Sequence, residues 1–113
     1  MRYFVALFCF LSCAAFAQNF LPGTEDIPLM DGLKDVEETA SFDSPTERMV
    51  LLSAETTLSA KQIFGFYQQT LTNLGWQQKK EGYFERGTDS FLIEIAPNGK
   101  KNQIQFKLSQ SNA

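Results

Sequence analysis

The chain contains no histidine, and its two cysteines, Cys9 and Cys13, both fall within the first 17 residues. Tryptophan occurs once, at Trp76, and proline four times. Without an imidazole there is no zinc or haem ligation by histidine, no Ser-His-Asp relay and no histidine switch near neutral pH. Beyond residue 17 there is no thiol to act as nucleophile or to form a disulfide. That part of the chain must therefore fold on an apolar core alone, which is demanding for so short a sequence. No Gly-rich phosphate loop is present. No apolar run approaches the roughly 20 residues that a membrane-spanning helix needs.

The first feature present is a leader. Arg2 precedes an apolar run from Tyr3 to Phe16, which ends in Ala15-Phe16-Ala17. A basic start, a short apolar segment and a small-x-small site predict a secretory signal peptide over 1–17. Cleavage between Ala17 and Gln18 would release a cysteine-free mature chain into the periplasm. A second reading starts from Leu11-Ser12-Cys13-Ala14, which resembles a bacterial lipobox. Lipidation of Cys13 would then anchor the protein to a membrane, although Phe10 stands where such motifs carry an aliphatic residue.

The formal net charge is −3, and loss of Arg2 with the leader takes it from −3 to −4. An acidic balance argues against non-specific nucleic-acid binding, which needs a basic footprint. The acids gather early, at Glu25, Asp26, Asp31, Asp35, Glu37, Glu38, Asp43 and Glu47, opposed only by Lys34 and Arg48. Residues 18–45 read as an extended, irregular acidic arm, punctuated by Pro22-Gly23, Pro28, Gly32 and Ser44-Pro45. Within it, Ile27-Pro28-Leu29-Met30 is a short apolar patch that wants cover. Either it docks on the domain, or Ile27, Leu29 and Met30 are held for a partner.

The most strongly patterned stretch is Ser59 to Trp76. Ser59 and Gln62 fit a capping box. Ala60, Ile63, Phe64, Tyr67, Leu71 and Leu74 recur at three- and four-residue spacing, which predicts an amphipathic helix with those residues inward. Gly75 supplies a left-handed end and Trp76 the apolar contact of a Schellman motif. Gly65, inside the helix, suggests close packing against a sheet. Strands are expected at 48–55, 76–80, 83–86, 91–96 and 103–108, with a hairpin turn at Pro97-Asn98-Gly99-Lys100. The order is strand, helix and four strands: an α+β domain over 46–109, one helix on a mostly antiparallel sheet, followed by a frayed polar tail at 110–113.

Three stretches are familiar in combination: Asp26-Ile-Pro-Leu-Met-Asp-Gly-Leu33, Phe42-Asp-Ser-Pro-Thr-Glu-Arg48, and Phe66-Tyr67 with Leu71 and Leu74-Gly-Trp76. Together they resemble a group of small uncharacterised exported proteins of Gram-negative bacteria, of alphaproteobacterial type. The resemblance implies export and architecture, and it transfers no catalytic residue and no cofactor.

For chemistry the sequence offers little. The acids Glu25, Asp26, Asp31 and Asp35 do not follow the spacing of a calcium loop and read as a solvated face. Glu85 and Glu94, expected as neighbours across a hairpin, are the one candidate acid/base couple for a hydrolase. Lys79, Lys80, Arg86, Lys100 and Lys101 place positive charge on turns, where lysines guard sheet edges or meet anionic headgroups. No metal, cofactor or catalytic residue is expected. The leading expectation is a non-enzymatic module that binds another envelope protein through a sheet edge or the acidic arm.

Overall fold

Ser59 opens the helix as the sequence predicts. Its hydroxyl accepts from the Gln62 backbone N–H at 3.1 Å, and the Gln62 side chain accepts from the Ser59 N–H at 2.9 Å. The structure, a computed structural model, describes residues 20–24 and 26–111. Helix α1 (Ala60–Asn73) buries Ile63, Tyr67 and Leu71. It ends in a Schellman motif, with the Gly75 N–H bonded to the Thr72 carbonyl and the Trp76 N–H to that of Leu71. Gly75 takes φ of +94°, a conformation that costs other residues a Cβ clash.

Around the helix lies one six-stranded antiparallel sheet: β1 (Lys34–Asp43), β2 (Glu47–Thr56), β3 (Gln77–Lys80), β4 (Tyr83–Arg86), β5 (Asp89–Asn98) and β6 (Lys101–Ser111). Their order across the sheet is β1-β2-β6-β5-β4-β3. The α+β class is as expected, with one strand more than the sequence shows. Residues 34–43, read as part of an irregular arm, form β1 and pair with β2 through two register irregularities. The turn residues expected near Ser44 are there, and close the β1–β2 hairpin: the Ser44 hydroxyl accepts from the backbone N–H groups of Thr46 and Glu47. At the other end Gln110 and Ser111, placed in a frayed tail, belong to β6, where Gln110 faces Arg48 and Ser111 faces Glu47. Residues 112–113 lie outside the described residues.

Alternation along the strands puts one set of side chains under the helix. Val50, Leu52 and Ala54 of β2, Phe84 of β4, Phe91 and Ile93 of β5, and Ile104, Phe106 and Leu108 of β6 are buried there. Phe91 and Phe106 stack with centroids 5.8 Å apart, and Tyr67 meets Phe106 edge-on at 5.7 Å. These rings supply much of the apolar area of a core with no disulfide in the described residues. Leu74, assigned to the inward stripe, is 41% exposed. It stands at the C-cap, where the chain leaves the helical course and the 3.6-residue period stops applying.

Candidate functional site

The N-terminal arm is fastened to the domain. Ile27 is 0% exposed, Leu21 is buried with it, and Leu29 and Met30 pack against the same core. Four polar contacts hold the arm in place, three to its backbone and one to a side chain. The Tyr67 hydroxyl donates to the Pro28 carbonyl at 2.8 Å, and the Thr56 hydroxyl to that of Gly32 at 2.8 Å. Arg48 donates to the Gly23 carbonyl at 2.7 Å, and Arg86 pairs with Asp26 at 2.9 Å. Burial pushes the Tyr67 phenol well above its ordinary value, against a smaller opposing hydrogen bond from the Met30 backbone. Ile27 is therefore closed to a partner, and the domain covers part of Leu29 and Met30, which remain partly exposed. The leader, Cys9, Cys13, the Ala17–Gln18 bond and Glu25 lie outside the described residues.

The candidate carboxylate couple is not a cross-strand pair. The β4–β5 turn is tight, with Arg86 opposite Asp89, so Glu85 faces Ser90 while Glu94 faces Gln105 of β6. Four residues along β5 separate Ser90 from Glu94, which sets the two backbones about 13 Å apart. Glu85 is also engaged, accepting from the Tyr83 hydroxyl at 2.9 Å and lying 4.0 Å from Lys79. That hydrogen bond raises the Tyr83 phenol from its ordinary value. Among the described residues no group of three or more Cys, Asp or Glu side chains is arranged to hold a metal ion.

The expected basic end is largely neutralised as well. Arg86 pairs with Asp26, Lys101 lies 3.9 Å from Glu55, and Lys79 reaches Glu85. No helix among the described residues is long and apolar enough to cross a membrane.

What remains available is geometry of the sheet. One face carries α1 and the arm. The other carries no element among the described residues, and there Leu51 and Leu92 flank Lys107 in a single cross-strand row. Phe42, 56% exposed, sits opposite Met49 at the β1 margin of that face. The sheet is open at both ends, because β1 and β3 are each paired on one side only among the described residues. The β1 edge is ten residues long, but its first half is interrupted by the two irregularities and by Asp35 at φ of +53°. Such bulges disturb the regular ladder that an added strand follows. The β3 edge is four residues long and adjoins a groove.

That groove, of about 590 Å³, is bounded by α1 on one side and by β3 and its following turn on the other. Ala60, Lys61, Phe64, Gly65 and Gln68 line the helix side, with Gln78 and Glu81 opposite. The Phe64 ring packs against the turn, where a Cβ on Gly82 would come 2.9 Å from it. Gly65 differs from the expectation. It is exposed, and no atom lies within 4 Å of where its Cβ would be, so close packing does not account for it. A helix-interior glycine costs about 1 kcal/mol relative to alanine, and here that cost opens the groove wall. The sequence shows the glycine but not the groove, since β3 and α1 are brought together only by the fold.

No family model, curated protein or solved structure matches the chain.

Proposed function

We propose that this chain is an exported, non-enzymatic binding module of the bacterial cell envelope, which takes an extended segment of a partner protein onto a free edge of its sheet. The observation that carries the proposal is the open strand order, with β1 and β3 each offering one unpaired backbone edge among the described residues. Strand addition satisfies such an edge, because main-chain hydrogen bonds give affinity and alternate side chains give selectivity. The separation of Glu85 from Glu94, and the engagement of Glu85 by Tyr83 and Lys79, support binding over hydrolysis. Export rests on Arg2, the apolar run Tyr3–Phe16 and the Ala15-Phe16-Ala17 site.

In-cell photocrosslinking tests this. A crosslinking residue at Ser41 on β1 or Gln78 on β3 is expected to give one discrete adduct with an envelope protein, and the same residue at exposed Gln69 on α1 to give none. Silence at both edges, or an equal adduct from Gln69, rejects the edge-binding reading. Intact mass tests the location. A soluble chain beginning at Gln18 is expected, whereas an acylated chain beginning at Cys13 replaces the free periplasmic protein with a tethered one.

A further inference from the structure

We infer that the edge in use is β3, and that its ligand is an extended peptide segment with apolar residues on alternate positions and acidic residues between them. This inference rests on the edge-binding reading and narrows it to one site. A strand added beside β3 turns alternate side chains toward the helix side of the sheet, into the groove bounded by α1. The groove offers those side chains the partly buried Phe64, held by the Gly82 turn, and the open space over Gly65. Gly65 lowers helix propensity without a packing return, and every larger residue there projects into the space the incoming side chain needs. Gln68 and Gln78 each carry a donor and an acceptor, which suits the peptide groups of a passing chain. Lys61, Lys79 and Lys80 frame β3 and the groove against two carboxylates, Glu81 in the lining and Glu85 beside Lys79, which leaves a positive excess that suits acids on the incoming strand. The β1 edge offers no comparable seat. Its acids Asp35, Glu37 and Glu38 stand where the ladder is irregular, and among the described residues no helix runs beside it.

The test is an NMR titration of the isotope-labelled protein, in the form to which the cell processes it, with an end-blocked hexapeptide of alternating valine and glutamate. Shifts confined to Gln77–Lys80, Gly65 and Gln68 are expected. Gly65→Leu should weaken binding more than tenfold while leaving the circular dichroism and melting temperature no lower, because leucine is a good helix former entering empty space. Lys79→Glu with Lys80→Glu should weaken binding and flatten its salt dependence. Binding by Gly65→Leu equal to that of the unaltered protein overturns the inference. Shifts that map to β1 also overturn it, yet leave the edge-binding reading intact. Shifts at β3 that grow with protein concentration and need no peptide identify a second copy of this chain as the occupant, and overturn the peptide. No shift at either edge at millimolar peptide, together with no crosslink in cells, removes both readings.

Discussion

Arg86 lies over the ring of Trp76, with its guanidinium carbon 4.5 Å from the ring centroid. From there it bonds the Leu74 carbonyl at 3.0 Å and pairs with Asp26 at 2.9 Å. One side chain thus ties the helix end, the β4 strand and the N-terminal arm together. Arg86→Met keeps an apolar stem over the indole and removes the charge. With both charged groups partly exposed, a loss of about 1–2 kcal/mol in urea unfolding is expected. A double-mutant cycle with Asp26→Asn should assign about 0.5–1 kcal/mol of it to the ion pair. A coupling of zero would reduce the pair to a bystander.

The arm contributes to the core through Ile27, and that contribution is measurable. Ile27→Ala should destabilise the protein by about 2–5 kcal/mol, the range for deleting a fully buried aliphatic side chain. It should also expose the 20–33 segment to limited proteolysis before the sheet opens. A change within about 0.5 kcal/mol, usual for surface substitutions, would show an arm that adds nothing to stability.

Leu71 and Leu74 stand three residues apart and test where the helical stripe ends. Leu71→Ala is expected to cost about 2–5 kcal/mol. Leu74→Ala, at an exposed cap, is expected to stay within about 0.5–1 kcal/mol in the same denaturant series. Equal losses would contradict the burial described for the pair.

Gly65→Ala should stabilise the protein by up to about 1 kcal/mol, since alanine improves helix propensity and meets no neighbour. Thermal melting reads this directly. A lower melting temperature would mean that the groove wall is already occupied.

Alkaline pH should weaken the fold through Tyr67. Its phenol is raised by burial, so the unfolded chain loses that proton at lower pH than the folded one does. The contribution is fully present below about pH 10, the unfolded value, and is lost as pH rises beyond it, by up to about 1.4 kcal/mol per pH unit. Tyr67→Phe should flatten this part of the stability–pH curve. It should also cost about 0.5–1.5 kcal/mol at neutral pH, through the lost bond to Pro28. An unchanged alkaline slope would exclude Tyr67 as its source.

The elements legible in the sequence are those whose signals are local. The capping box at Ser59 and Gln62 and the Gly75 stop each lie within a few residues of the chain and form as read, while the hairpin turn read at Pro97–Lys100 forms one residue later, with Asn98 still in β5 and paired with Lys101. β4 matches its expected bounds for the same reason, set between two tight turns. β1 was hidden because nearly all its side chains are exposed and its pairing lies entirely with β2. Gln110 and Ser111 look like a tail until β2 is beside them. The Glu85–Glu94 pairing failed because Arg86 lies opposite Asp89 across a two-residue turn, which puts Ser90, four residues short of Glu94, beside Glu85, and a groove between a helix and an edge strand leaves no trace in periodicity.

The last strand in the chain is the inner strand that joins the two halves of the sheet, because β6 lies between β2 and β5. Before it arrives, the β1–β2 hairpin and the β3–β5 meander share no border, and neither alone can shelter α1. Assembly therefore waits for Lys101–Ser111, and its decisive contacts join positions more than fifty residues apart, such as Leu52 with Phe106.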